Sequence, residues 1–238
     1  MKLIDALVAL RPYLLVLCLF FIVGSAVAVL VGPVSLDANS SSLRWLFADL
    51  MKQIDLRNEV VAASWFEGVL FLIVAVSFAL LGWGRSETYA PGHWRIFFQV
   101  MALAFVFLAL DETVSLHEQL GKRVEYSTGV AACTNIENKG YSWVLVYLPA
   151  ALVVIAMLQV AFKPLFSKMS QAGKVAKSYL LVGSIAIVAV FLFEGGEAAL
   201  LCNERTAPMM QVIEETFELI ALWCFLQVNS RMAANHHL

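Results

Sequence analysis

The residues of this sequence best suited to chemistry are acids set inside apolar runs. Asp111 and Glu112 close the stretch FFQVMALAFVFLAL and are followed at once by His117 and Glu118 in LDETVSLHEQLG. Glu67 sits in SWFEGVLF, Glu194 and Glu197 in FLFEGGEAALL, and Glu214, Glu215 and Glu218 in QVIEETFELIALW. Carboxylates with a single imidazole are the donors of an oxygen-rich metal centre or a general base, and such a set suits Mn or Fe better than zinc or copper.

The spacing concentrates these groups. Glu194 and Glu197 are three residues apart, as are Glu215 and Glu218, so each pair projects from one helix face. Asp111, Ser115 and Glu118 share a face in the same way. An acid at the centre of a membrane helix costs about 2.5–3.5 kcal/mol, and less near the interface. Several acids together repel one another unless they are protonated, paired or bound to cations. No Lys or Arg falls at that depth, which leaves protons or a divalent metal as compensators. The expected ligand set is Glu67, Asp111, Glu112, His117, Glu194, Glu197, Glu215 and Glu218, enough for one or two ions. The simpler alternative puts His117 and Glu118 at the water interface, and lets Glu197 and Glu214 snorkel or face loops.

The elements that must position these groups follow from composition. Of 238 residues, 61% are hydrophobic and 14% charged, with a mean hydropathy of +0.80. A soluble domain carries about 25% charged residues. The chain is expected to be one all-α domain over 1–238, a polytopic membrane helical bundle. Six segments, roughly 12–33, 60–83, 95–118, 143–162, 179–202 and 209–228, are long enough for a hydrocarbon core of about 30 Å. Backbone polar groups in lipid must be satisfied internally, which requires helices. Tyr13, Trp83, Trp94, Trp143 and Tyr179 flank these spans as interfacial anchors. The apolar run of the first span exceeds a signal-peptide core of about 7–15 residues, so it is expected to stay uncleaved.

Between the first two spans, LRWLFADLMKQI places Leu43, Leu46, Phe47, Leu50 and Ile54 at helical spacing. That pattern predicts a short amphipathic helix on the outer membrane surface, or a lid on the bundle. Lys and Arg gather in the terminal segments, the 2–3 loop and the 4–5 loop, which predicts a bacterial inner membrane protein with both termini cytoplasmic. Cys133 and Cys202 then fall on the outer side and form a candidate disulfide if that side is oxidising, while Cys18 and Cys224 lie in spans. A net charge of -2 with no basic cluster excludes nucleic acid as a partner.

At about 1.5 Å per residue, Glu67, Asp111, Glu112 and Glu194 all lie about 12 Å inside the outer ends of their helices, with Glu215 and Glu218 roughly 9 to 14 Å in. FEG recurs at Phe66–Gly68 and Phe193–Gly195, and DET at Asp111–Thr113 is echoed by EET at Glu214–Thr216. The four acid-bearing spans run down, up, up, down, an order that resembles the ferritin-like bundle, whose helices give Glu and Glu-x-x-His ligands to a di-metal centre. The chain departs from that pattern, since Glu215-x-x-Glu218 has no His. LDETVSLHEQ also resembles the LDExxxxHE signature of uncharacterised bacterial multi-pass membrane proteins, which implies no particular activity. HEQLG lacks the second His of a zincin, GxSxG is absent, and only His117 is available where alkaline ceramidase and adiponectin-receptor hydrolases use several histidines.

Three functions are compatible. The first is a metal-dependent oxidoreductase or hydrolase acting on a lipid or quinone-like substrate from the outer leaflet. The second is a proton- or cation-coupled transporter, opposed by the lack of ionisable residues in FLIVAVSFALL, VMALAFVF, LVGSIAIVAVF and ALWCFL. The third is an accessory subunit whose acidic layer docks a protein partner in the membrane.

Overall fold

The computed structural model describes residues 2–31, 42–55, 61–83, 92–114, 116, 119–121, 123, 143–167, 171–200 and 207–235. Helices account for nearly all of them: α1 (Lys2–Val31), α2 (Ser42–Ile54), α3 (Ala62–Trp83), α4 (Gly92–Val114), α5 (Trp143–Ser167), α6 (Gln171–Leu200) and α7 (Ala207–Asn235). By length and composition α1, α3, α4, α5 and α6 can each cross a membrane. The chain is therefore an all-α membrane bundle. The remaining long helix, α7, has 29 residues but carries Glu214, Glu215, Glu218 and Arg231, which dilute its apolar character.

Two antiparallel pairs dominate the packing, α3 with α4 and α6 with α7. Within the second pair the register persists along the whole length: Tyr179 lies under Arg231, Gly183 against Cys224, and Phe193 stacks on Phe217. Within the first, Gly82 meets Arg95 and Gln99 at one end, and Gly68 meets Thr113 at the other. α7 also packs on α1 and α3, which makes it the hub of the bundle, while α5 packs on α6. Buried polar contacts tie neighbours together: Asn229 Nδ2 donates to Ser77 Oγ at 2.9 Å, Gln159 Nε2 to Ser184 Oγ at 3.0 Å, and Gln99 Nε2 to the Gly82 carbonyl at 3.1 Å. Such bonds hold helices together where lipid gives no hydrophobic drive for their association.

Several boundaries differ from the sequence reading. α1 starts at Lys2 instead of residue 12, and Pro12 lies inside it. Proline is favoured at the first helical position, which made Pro12 look like a start. Inside the helix its missing N–H orphans the carbonyl of Val8. Arg11 Nε fills that vacancy by donating to Val8 O at 3.3 Å. Consequently Arg11 belongs to the helix and not to a segment preceding it. α5 runs on to Ser167, α6 begins at Gln171, and α7 extends to Asn235. Lys163 in α5, and Lys174 and Lys177 in α6, are thus helical and exposed, not loop residues. Long cationic side chains extend a helix past the apolar core without burying their charge.

α2 occupies 42–54, as its periodicity predicts. Its end docks on α1, where Ser25 Oγ donates to the Ile54 carbonyl at 3.3 Å and Ile54 packs on Gly24. Gln53 Oε1 accepts the N–H of Ala62 at the start of α3. Leu46, Phe47 and Leu50 stay exposed instead of being covered by the bundle, as suits a helix lying against lipid more than a lid. Of the cysteines, Cys18 and Cys224 are free and buried; Cys133 and Cys202 lie outside the described residues.

Candidate functional site

The acidic side chains of α3, α4, α6 and α7 gather at one end of the bundle, opposite the end at which α1 begins and α7 finishes. Counted at about 1.5 Å per residue from Trp83, Trp94, Tyr179 and Arg231, Glu67 stands about 24 Å up, Glu112 about 27 Å, Glu194 about 22 Å and Glu215 about 24 Å. One layer therefore carries the acids of four helices.

Glu67 is wholly buried. Acids apart, no residue among those described offers a hydrogen-bond donor to either of its oxygens. The groups that act on it are acidic: Glu215 most strongly, then Glu112, Glu218 and Glu214. Glu215 is also in hydrogen-bonding contact with Glu67. Glu194, 9% exposed, makes the corresponding contact with Glu214. Two carboxyl groups can bond only by sharing a proton, since a carboxylate accepts and does not donate. The layer thus holds two cross-helix acid pairs, Glu67–Glu215 and Glu194–Glu214. Glu112 and Glu218 lie close enough to act on both Glu67 and Glu215.

Local sequence explains how the backbones carry these groups. Thr113 Oγ1 donates to Ala109 O at 2.8 Å, and Thr216 Oγ1 to Val212 O at 2.6 Å. The DET and EET tripeptides therefore share a threonine that bonds back to its own helix, beside the acids they present. The two FEG motifs each place an aromatic against a neighbouring helix, Phe66 on Phe21 at 5.0 Å and Phe193 on Phe217 at 5.5 Å. Their glycines differ. Gly68 faces Thr113, where an added Cβ would stand 3.3 Å from Oγ1. At Gly195 and Gly196 a Cβ would meet nothing within 4 Å among the described residues.

The other expected ligands divide. Asp111 is buried and acts on Tyr147 of α5, a residue that the sequence pattern does not single out. Glu214, expected to snorkel or face a loop, instead joins the layer through Glu194. Glu197 lies in the backbone of α6 with its side chain outside what is described, and His117 and Glu118 fall outside the described residues altogether. As they stand, no three His, Cys, Asp or Glu among the described residues form a group that could hold a metal ion.

Beneath the acids lies an aromatic plug. Phe78 of α3 stacks on Phe105 of α4 at 5.2 Å and approaches Phe225 of α7 at 6.4 Å, with Leu70, Val74, Leu219 and Leu222 buried around them. Below the plug the bundle turns polar again. Ser77 and Asn229 pair there, with Asn229 Oδ1 buried and meeting no donor among the described residues. Near the terminal end Arg11 Nη1 donates to Gln227 Oε1 at 3.1 Å and Ser230 Oγ at 3.4 Å. The stretches below the acids hold no ionisable group, as expected, but QVNSR at the end of the last expected span turns Gln227, Asn229 and Ser230 inward.

The chain matches the domain of unknown function DUF8692 over residues 53–229, which includes the acids of all four helices. No curated protein and no solved structure matches it. The chain belongs to the DUF8692 family.

Proposed function

We propose that this DUF8692 member is a membrane-embedded metal-dependent protein in which a divalent ion, Mn or Fe by donor chemistry, displaces the protons shared by the carboxyl layer. Its action would be on a lipid or quinone-like substrate entering from the leaflet on the acid side. The observation that carries this reading is the Glu67–Glu215 pair, with Glu67 fully buried, Glu215 partly buried, and further acids acting on both. Such a group needs positive charge, and an oxygen-only donor set favours hard cations. Glutamates rotate about three side-chain torsions, so the paired rotamers are taken as the proton-loaded arrangement. Two antiparallel pairs contributing acids to one layer also fit a ferritin-like plan. The Lys and Arg distribution supports an inner membrane with the terminal end cytoplasmic.

The test is elemental analysis of the gently extracted protein, followed by reloading with Mn or Fe. Roughly stoichiometric metal, lost in Glu67→Gln and Glu215→Gln, supports the proposal. Metal near zero even after reloading sinks it.

A second reading, a proton- or cation-coupled transporter, is favoured by the buried Ser77–Asn229 pair below the plug, with its spare acceptor. Proton flux into liposomes that disappears in Glu67→Gln would establish transport, and its absence would leave the first reading alone.

A further inference from the structure

Glu67 is wholly buried, so any ion or substrate that meets it needs a way in. The helices around it differ in how firmly they are set. Toward α4, Gly68 lies against Thr113 and Gly82 against the Gln99 backbone, a close approach that holds α3 and α4 together. Ala63 and Ser64, one turn nearer the head of α3, are buried as well. Toward α7 stands Glu215 itself. The remaining neighbour is α1.

α1 packs along α7 and also meets α3, where Phe21 stacks on Phe66, the residue before Glu67, at 5.0 Å. It thus bridges the two helices that carry the Glu67–Glu215 pair. Counted at about 1.5 Å per residue from the Arg11–Gln227 bond, Phe21 stands about 15 Å up α1 and Glu215 about 18 Å up α7. The ring stack is therefore within one turn of the acid pair. α1 buries a single stripe here, Leu14, Cys18, Phe21, Ser25 and Ala28. Val23 and Val27 of α1, and Trp65 and Val69 of α3, are exposed at the same levels, so the seam looks onto lipid. Two rings inclined at 25° make a flat contact that can slide, unlike interdigitated side chains.

α2 fastens this wall. Its last residue, Ile54, fills the space at Gly24, where an added Cβ would stand 3.0 Å from Ile54 Cδ1 and 3.3 Å from Ile54 Cβ. Ser25 Oγ donates to the Ile54 carbonyl at 3.3 Å. One residue earlier, Gln53 Oε1 accepts the N–H of Ala62 at 3.1 Å, at the head of α3. Both ties lie one turn beyond the stacked rings, so α2 straps α1 to α3.

We infer that the α1–α3 seam, closed by Phe21 on Phe66 and strapped by α2, is a lateral gate from the lipid to Glu67. It opens when Ile54 leaves Gly24 and the rings part. That the molecule admitted is a lipid or quinone-like substrate rests on the proposed function; the gate itself is read without metal or substrate.

The metal-free full chain in liposomes would be treated with dicyclohexylcarbodiimide, a lipid-soluble reagent for protonated carboxyl groups, and in parallel with a water-soluble carbodiimide. Peptide mass mapping reads modification at Glu67. The lipid-soluble reagent should label it faster. Gly24→Cys combined with Ile54→Cys sets two Cβ atoms close to the roughly 3.5–4.5 Å of a disulfide, so one variant is read both locked and unlocked. Oxidation should slow labelling several-fold, and reduction should restore at least the wild-type rate. Phe21→Ala should speed labelling several-fold, whereas Phe107→Ala, a lipid-facing truncation on α4, should leave it unchanged. Equal rates in the locked and reduced forms, equal acceleration by Phe107→Ala, faster labelling by the water-soluble reagent, or no labelling by either would overturn the gate. Metal content does not enter this readout, so failure of the metal-loading experiment and failure of the gate are separate results.

Discussion

Glu67 on α3 and Glu215 on α7 meet carboxyl to carboxyl, and apart from Glu215 no side chain or backbone among the described residues offers a donor to either oxygen of Glu67. A shared proton is the natural link between them. Glu67→Gln replaces that proton with an amide N–H of nearly the same shape. The variant should therefore fold with stability within about 1 kcal/mol of wild type, the net worth of an ordinary hydrogen bond. Glu67→Ala, which leaves Glu215 facing a void, should be clearly less stable. Unfolding curves of the two variants check this, and a glutamine variant weaker than the alanine one would contradict a shared proton.

If metal displaces those protons, binding and acidity are coupled with a definite sign. Lower pH loads the pairs with protons and opposes the ion. Apparent affinity should fall about tenfold per pH unit for each proton released. Metal titrations at three pH values, with proton release followed by an indicator dye, measure both quantities. Affinity independent of pH would place the ion elsewhere.

The glycines separate packing from propensity. At Gly82 an added Cβ would stand 2.8 Å from the backbone nitrogen of Gln99, so Gly82→Ala must push α4 away from α3. A loss of about 1–3 kcal/mol is expected, as for overpacking elsewhere. Gly195→Ala meets nothing, and the better helix propensity of alanine should add up to about 1 kcal/mol. Thermal melts of the two variants should move in opposite directions.

Phe78 joins α3, α4 and α7 through Phe105 and Phe225. Phe78→Ala should cost about 3–5 kcal/mol through the cavity it leaves. The same cavity removes the barrier between the acid layer and the Ser77–Asn229 pair. Liposomes carrying the variant should leak protons faster than wild type if the plug is the seal, and at the same rate if it is only packing.

Much of the architecture was legible in the sequence because hydropathy reports directly on burial in lipid. The shared level of Glu67, Glu112, Glu194 and Glu215 along their helices was legible too, since each sits at a matching distance from an aromatic or cationic belt. The pairing was not. Helix spacing tells which residues share one face, so it joined Glu215 to Glu218 and Glu194 to Glu197, whereas the closest contacts run between helices, from Glu215 to Glu67 and from Glu194 to Glu214. Arg11 was missed for a different reason. Pro12 imitates a helix start, and only the long-range bond to Gln227 reveals that the residue before it faces α7. Tyr147 gave no signal at all, because its relation to Asp111 depends on how α5 sits beside α4.

The hub of the bundle comes after all of its neighbours in chain order. Glu67 and Glu194 are synthesised before the glutamates that pair with them. Until α7 arrives, the α3–α4 hairpin is an incomplete product whose acidic faces cannot be matched, and quality-control proteases would recognise it as such. Completion of the acid pairs is therefore decided when α7 joins its neighbours, so lesions in α7 should reduce cellular abundance more than equally disruptive lesions in α5.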